Sequence, residues 1–200
     1  MSPVLLIIID GWGIAPAGPG NAISLAKLPF YNKLLLDYPN CQLQASGEAV
    51  GLPRGEDGNT ETGHLNLGAG SVVYQDLPRI NMSIADGSFF QNPAFLASLD
   101  HVRKYQSNFH ILGMIGSSGV HSNVDHLLAL LQLLKEQNYR KVFLHLITDG
   151  RDSPPKSALI HIKEIQNYLE HLGFGEIGTV MGRYYAMDRD HRWERTAKAY

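Results

Sequence analysis

The alternation of apolar and polar positions divides the chain into two stretches of different rhythm. Val4-Leu5-Leu6-Ile7-Ile8-Ile9 is a continuous apolar run, rich in β-branched residues and closed by Asp10-Gly11. Such a run predicts a strand buried on both faces, as in a parallel sheet. A Gly/Pro-rich loop covers residues 11–20, and Asn21 is placed to cap a helix that continues, broken at Pro29, to about Asp37. Cys41 to Ala45 reads as a short strand. Glycines and Pro53 then punctuate a loop from Gly47 to Gly58, and Thr60 followed by Glu61 marks a helix start.

Past Asp76 the rhythm changes. Pro93 to Lys104 reads as a helix, and three similar units follow it. Strand Phe109 to Ile115 leads to a helix over Val124 to Gln137. Strand Lys141 to Thr148 leads to a helix from about Lys156 to His171. Strand Ile177 to Met181 leads to a helix over His191 to Tyr200. Strands alternating with amphipathic helices predict an α/β fold of parallel βαβ units with right-handed crossovers. Trp193 to Tyr200 carries helix formers with no glycine cap, proline or polar tail after them, which reads as a truncation.

Composition narrows the function classes. Hydrophobic residues make up 44% and charged residues 18% of the 200 positions, enough apolar material for a core. The formal charge of −2 leaves no footprint for nucleic acid or an anionic membrane. The run at residues 4–9 is far shorter than the roughly 20 residues a bilayer span takes, and it has no basic leader. A single cysteine, Cys41, cannot form an internal disulfide and suits a reducing compartment. A cytoplasmic protein is the expectation.

In parallel α/β sheets, ligands bind beyond the carboxyl ends of the strands. The polar residues of this chain gather there. Asp10 ends the first run. Ser117, Ser118, His121 and Ser122 follow Ile115; Asp149, Arg151 and Asp152 follow Thr148; and Arg183, Asp188, Arg189 and Asp190 follow Met181. Arginine clamps carboxylate or phosphate through its planar fork, and a neighbouring aspartate can take a hydroxyl proton during phosphoryl transfer. A small anionic ligand carrying a hydroxyl is implied. Taken singly, Asp10 can be a turn residue, Thr60 only a helix N-cap, His121 and Arg189 surface decoration, and Glu61 and His64 structural. Their joint placement raises the functional reading.

Longer matches identify a family. Ile9-Asp10-Gly11-Trp12-Gly13, Gly20-Asn21-Ala22-Ile23 and Ala45-Ser46-Gly47-Glu48-Ala49-Val50-Gly51-Leu52-Pro53 resemble the cofactor-independent phosphoglycerate mutases. So do the stretch from Gly58 through Asn66-Leu67-Gly68-Ala69-Gly70, then Val73-Tyr74-Gln75-Asp76-Leu77 and Gly119-Val120-His121-Ser122. Asp149-Gly150-Arg151-Asp152 with Pro154-Pro155, and Gly182 through Asp190, continue the match over essentially the whole chain. The family belongs with alkaline phosphatases. A phosphatase-like domain holds two divalent metal ions, usually manganese, and the nucleophile; an inserted α/β transferase domain holds glycerate.

The resemblance implies that residues 1–74 begin the first domain and residues 75–200 form part of the second. Asp10 then resembles a metal ligand, and Thr60 stands where the nucleophile sits and also touches metal. The family usually has serine there; threonine keeps the hydroxyl and restricts its rotamer. His121, Arg151, Asp152, Arg183 and Arg189 resemble the residues that hold glycerate, with Asp152 as the proton carrier. The implied activity is interconversion of 3-phosphoglycerate and 2-phosphoglycerate through a phospho-threonine, without 2,3-bisphosphoglycerate, by a monomer. Asp10 and Thr60 are too few to hold a divalent ion firmly, so this chain alone is expected to bind little metal and to be inactive. The rival readings are a metal-dependent phosphatase of the same superfamily and a non-catalytic module that binds small phosphorylated acids.

Overall fold

The computed structural model describes residues 3–200. The chain divides after Gln75 into two compact units.

Unit 1 is built from short helices and long connections. Helix α1 (Ala22–Leu25) is capped by Asn21, whose side-chain oxygen accepts from Ser24 N at 3.1 Å. Helix α2 (Pro29–Asp37) opens on a proline, whose fixed φ suits a first helical position. A 3-10 turn at Gly47–Val50 precedes helix α3 (Thr60–Ala69), which ends where Gly70 takes a left-handed conformation. Asn66 on α3 ties the unit together: its amide donates to Val50 O at 3.0 Å and its oxygen accepts from Val73 N at 2.7 Å.

Two expected strands are absent from this unit. Among the described residues, Val4–Ile9 pairs with no strand, and its residues range from 44% exposed at Ile8 to 96% at Val4. Cys41–Ala45 is likewise unpaired. A strand buried on both faces needs neighbouring strands and covering layers, and among the described residues unit 1 contains no other strand.

Unit 2 carries the α/β architecture that the strand–helix rhythm predicts. It opens with helix α4 (Asp76–Ala85), a 3-10 turn at Ser88–Gln91 and helix α5 (Pro93–Tyr105). Strand β1 (Phe109–Ile115), helix α6 (Val124–Glu136), strand β2 (Val142–Thr148), helix α7 (Ala158–Leu172) and strand β3 (Glu176–Gly182) follow. Two short helices, α8 (Arg183–Ala186) and α9 (Trp193–Ala199), complete it. The three strands form a parallel sheet in the order β1-β2-β3.

Ile111, Ile115, Val142, Leu144, Leu146 and Ile177 face a core closed by Leu99 of α5, Leu131 and Leu134 of α6, and Ile165 and Leu169 of α7. Leu99, Leu131, Leu134, Leu144 and Ile165 are fully buried. Each such side chain contributes about 1.5–3 kcal/mol relative to exposure. The opposite face of the sheet is more open, with Leu112 66% exposed. Ile115 lies in register with Thr148, and Thr148 with Gly182, so the three strands end level. The loops that follow them therefore leave from one edge, and that edge carries most of the polar residues singled out above. Among the described residues, no helix is long and apolar enough to cross a membrane.

Candidate functional site

Each unit carries a polar cluster. In unit 1 it centres on the first residue of α3. Asn59, not Thr60, is the N-cap: its side-chain oxygen accepts from Thr62 N at 2.9 Å. Thr60 is thereby released from capping, and its hydroxyl donates to Asp10 Oδ2 at 2.6 Å. One helical turn on, His64 Nδ1 lies 2.8 Å from the Thr60 carbonyl oxygen and 3.2 Å from Thr60 Oγ1. A carbonyl can only accept, so Nδ1 carries the proton and the same N–H faces the hydroxyl oxygen. Oγ1 thus sits between a donor and a carboxylate acceptor, at the positive end of a helix dipole. The backbone just before it passes tightly against the loop at residue 45. A Cβ on Gly58 would fall 1.7 Å from Ala45 O, so only glycine allows this approach. Asp10, Trp12, Asn59, Thr60 and His64 line one cavity of about 980 Å³.

The donors that would meet a metal here are the Asp10 carboxylate and the Thr60 hydroxyl, hard oxygens suited to a divalent cation of the magnesium–manganese type. Among the described residues, no cluster of three or more His, Cys, Asp or Glu side chains is assembled.

In unit 2 the cluster lies where β1, β2 and β3 end. Asp149 directly follows β2 and its side chain is only 2% exposed. Its Oδ1 accepts from Arg151 N at 3.1 Å and Asp152 N at 3.2 Å, and its Oδ2 accepts from Ser153 N at 2.6 Å. Gly150, at φ +77°, supplies the left-handed step that folds this loop back on the carboxylate. Arg183, the first residue of α8, places Nη1 at 2.6 Å from both Asp149 Oδ1 and Asp152 Oδ2. Its Nη2 is 3.3 Å from His121 Nε2, and that nitrogen is 3.6 Å from Asp152 Oδ2. Ser153, also buried, accepts from Ser117 N at 3.3 Å and so joins the loop after β2 to the loop after β1.

Burial by itself would push the Asp149 carboxyl up. The Arg183 guanidinium and the hydrogen bonds from Ser153, Asp152 and Arg151 outweigh it and hold the group well below the usual carboxylate range. The Arg183 guanidinium is in turn held further above its ordinary value by Asp152 and Asp149.

A second buried acid organises the other side of the cleft. Asp188, 3% exposed at its side chain, accepts from Arg192 N at 2.8 Å and Asp190 N at 3.2 Å. Arg195 Nη1 is 3.7 Å from Asp188 Oδ1, and its guanidinium lies 4.0 Å above the Tyr184 ring. The resulting cleft, about 420 Å³, is lined by His121, Arg151, Asp152, Arg183, Arg189 and Arg195 among others. Among the described residues, Arg151 and Arg189 form no ion pair; both are exposed and line the same cleft as the Asp152 carboxylate. An arrangement of this kind can hold a small acid through its carboxylate and receive its hydroxyl proton.

The structure therefore brings Asp10 to Thr60 in one unit. In the other it brings His121, Asp152 and Arg183 into contact, with Arg151 and Arg189 on the same cleft. Sequence reasoning set aside His64, although its position four residues after Thr60 puts both on one helix face. It also passed over Arg195, which carries no motif and reaches the cleft only through the packing of α9 against α8.

Comparison with known proteins places the chain in a family. A family model described as "BPG-independent PGAM N-terminus" matches residues 80–200. The 2,3-bisphosphoglycerate-independent phosphoglycerate mutase of Chloroflexus aggregans is 54% identical over 99% of this chain and 37% of its own length. That of Moorella thermoacetica is 52% identical over 99% of this chain and 39% of its own. Among solved structures, Leishmania mexicana phosphoglycerate mutase at low cobalt concentration superposes with a TM-score of 0.67 and 28% identity, over 96% of this chain and 36% of that one. The chain thus spans under two-fifths of the length of these relatives. With the family model covering well over half of its residues, the chain belongs to the BPG-independent PGAM N-terminus family.

Proposed function

We propose that this chain supplies the phosphoryl-accepting hydroxyl and the glycerate-holding cleft of a cofactor-independent phosphoglycerate mutase, which interconverts 3-phosphoglycerate and 2-phosphoglycerate. The observation that carries the reading is Thr60 Oγ1 standing 2.6 Å from Asp10 Oδ2 and 3.2 Å from His64 Nδ1 at the start of α3. A threonine merely decorating a helix start has no need of a carboxylate fifty residues away.

Asp10 and Thr60 would hold one divalent ion, with further ligands needed to complete its shell of about six. When bound, that ion supplies positive charge that makes the hydroxyl a better nucleophile and neutralises phosphoryl oxygens. The chain's own residues do the rest. Thr60 directs its O–H at Asp10, so a lone pair of Oγ1 is available to phosphorus as the proton is drawn off. The bond from phosphorus to the substrate's 3-oxygen breaks as the bond to Oγ1 forms; Asp10 takes the threonine proton, the departing 3-oxygen takes one from solvent, and a phosphorylated threonine and glycerate remain. His64 keeps its N–H on the same oxygen and fixes its orientation.

Glycerate stays bound because Arg151, Arg183 and Arg189 offer guanidinium forks to its carboxylate. Asp152, 20% exposed and next to His121, would accept the proton of the 2-hydroxyl as that oxygen takes the phosphoryl group back. Retention of the alcohol is what distinguishes a mutase from a phosphatase, and the arginine-lined cleft supports the former.

The test is mass spectrometry of the complete, manganese-loaded protein after brief exposure to 3-phosphoglycerate. A phosphoryl adduct on the peptide containing Thr60, absent in Thr60→Ala and present in Thr60→Ser, is the expected result, with 2-phosphoglycerate as product. Release of inorganic phosphate without 2-phosphoglycerate would establish the phosphatase instead.

A further inference from the structure

We infer that Asp149 is the positioning residue of the unit 2 cleft: its buried carboxylate anchors Arg183 and the 150–153 backbone, so that Asp152 is left to serve a bound hydroxy acid. The inference rests on the reading of that cleft as a glycerate site.

Asp149 and Asp152 share one Arg183 nitrogen, but they differ in what else is available to them. The Asp149 side chain is 2% exposed and accepts from three backbone N–H groups besides the guanidinium. A carboxylate has about four lone-pair sites, so this one is saturated by the protein and has none for a ligand. Asp152 is 20% exposed, lines the cleft, and among the described residues has only Arg183 as a hydrogen-bond donor to its side chain, with His121 at 3.6 Å. The first carboxylate holds the scaffold and the second faces the ligand.

Arg183 explains why both are needed. Nη1 has two N–H groups, and one goes to each aspartate. That division fixes the guanidinium plane and presents Nη2, beside His121, toward the cleft. Without Asp149, the fork would turn to pair with Asp152 through two bonds, the preferred geometry for an arginine and a carboxylate. Such pairing would withdraw the cation from the substrate carboxylate and the base from the hydroxyl at once. The loop would also lose the acceptor for the Arg151, Asp152 and Ser153 amides. Ser153 Oγ, which holds Ser117 N, would then no longer fix the loop that carries His121.

Binding of D-glycerate to the 200-residue chain, followed by calorimetry with thermal unfolding of every variant as a control, tests this. Asp149→Asn should weaken glycerate by about tenfold or more in a folded protein, as expected for a buried charged hydrogen bond. The same change made in an Asp152→Asn background should cost much less, because no competing carboxylate remains. If wild type binds and Asp149→Asn binds equally well, the inference fails while the cleft reading stands. If wild type does not bind glycerate, the cleft reading itself falls and the inference with it. Should Asp149→Asn not fold, nitrogen-15 NMR of the Arg183 guanidinium in Asp152→Asn decides. Hindered rotation of Nη1 retained there supports Asp149 as the anchor, and free rotation overturns it.

Discussion

At the scale of single residues, the two clusters depend on which polar group is already spoken for. Asn59 caps α3 and so frees the Thr60 hydroxyl; Asp149 saturates the loop amides and so leaves Asp152 for a ligand. The Asp149 charge also links stability to pH. Its carboxyl is held well below the usual range in the folded state, whereas in the unfolded chain it titrates near the ordinary value of about 3.9. A depressed folded value means that the unfolded chain binds the proton first as acid is added. The stabilisation is therefore fully present above the unfolded value and is lost as pH falls below it toward the folded value. Thermal unfolding from about pH 6 down to pH 2 should show a shallower acid loss in Asp149→Asn than in wild type. Parallel acid limbs in the two proteins would mean that Asp149 is not the group whose protonation matters.

Among elements, what could be read from the sequence was whatever has a local signal. Phe109–Ile115 and the strand ending at Thr148 alternate core and open-face residues and sit between turn-rich loops, so period and punctuation agree. Helix α6 announces itself by Asn123 and an apolar stripe. Helix α4 was missed because Pro78 lies in its first turn and Ile80, Met82 and Ile84 fall at every second position, a spacing that does not announce a helix. Helix α8 is a single turn, too short for periodicity to register, yet it sets Arg183. The error at Val4–Ile9 is of another kind. The run has strand composition, but a strand is made by its neighbours, and composition says nothing of whether they are present. Within the candidate sites, residues at strand ends were legible, because chain order and sheet topology put them on one edge. His64 and Arg195 were not, because their roles arise from side-chain approach. Two element-level outcomes follow. Asn59→Ala should destabilise α3 by about 1 kcal/mol, seen as faster amide exchange over residues 60–69 with α6 unchanged. Leu131→Ala, at a fully buried position of α6, should cost about 2–5 kcal/mol in urea unfolding of unit 2.

Over the whole molecule, apolar burial is distributed unevenly between the two units. Among the described residues, Val50 and Leu52 are the buried hydrophobic side chains of unit 1, while unit 2 holds the cluster running from Leu99 to Leu172. Conformational entropy opposes folding by about 1–2 kcal/mol per residue everywhere, so a unit with so little burial has little to set against it. The cooperative transition of this chain should therefore belong to unit 2, and amides of β2, α6 and α7 should exchange slowest. Unit 1 also exposes an apolar run, with Val4, Leu5, Leu6 and Ile7 each more than 70% exposed and, among the described residues, with no ladder partner. A β-branched, uncharged segment of this length with unpaired backbone groups is a template for association between chains. Ile7→Lys places a charge in its middle at a position that is 72% exposed. It should raise the concentration at which light scattering appears and leave the urea midpoint of unit 2 where it was. If scattering is unchanged, association runs through another surface, and the exposed side chains of α2, Leu34 and Leu36, become the next to replace.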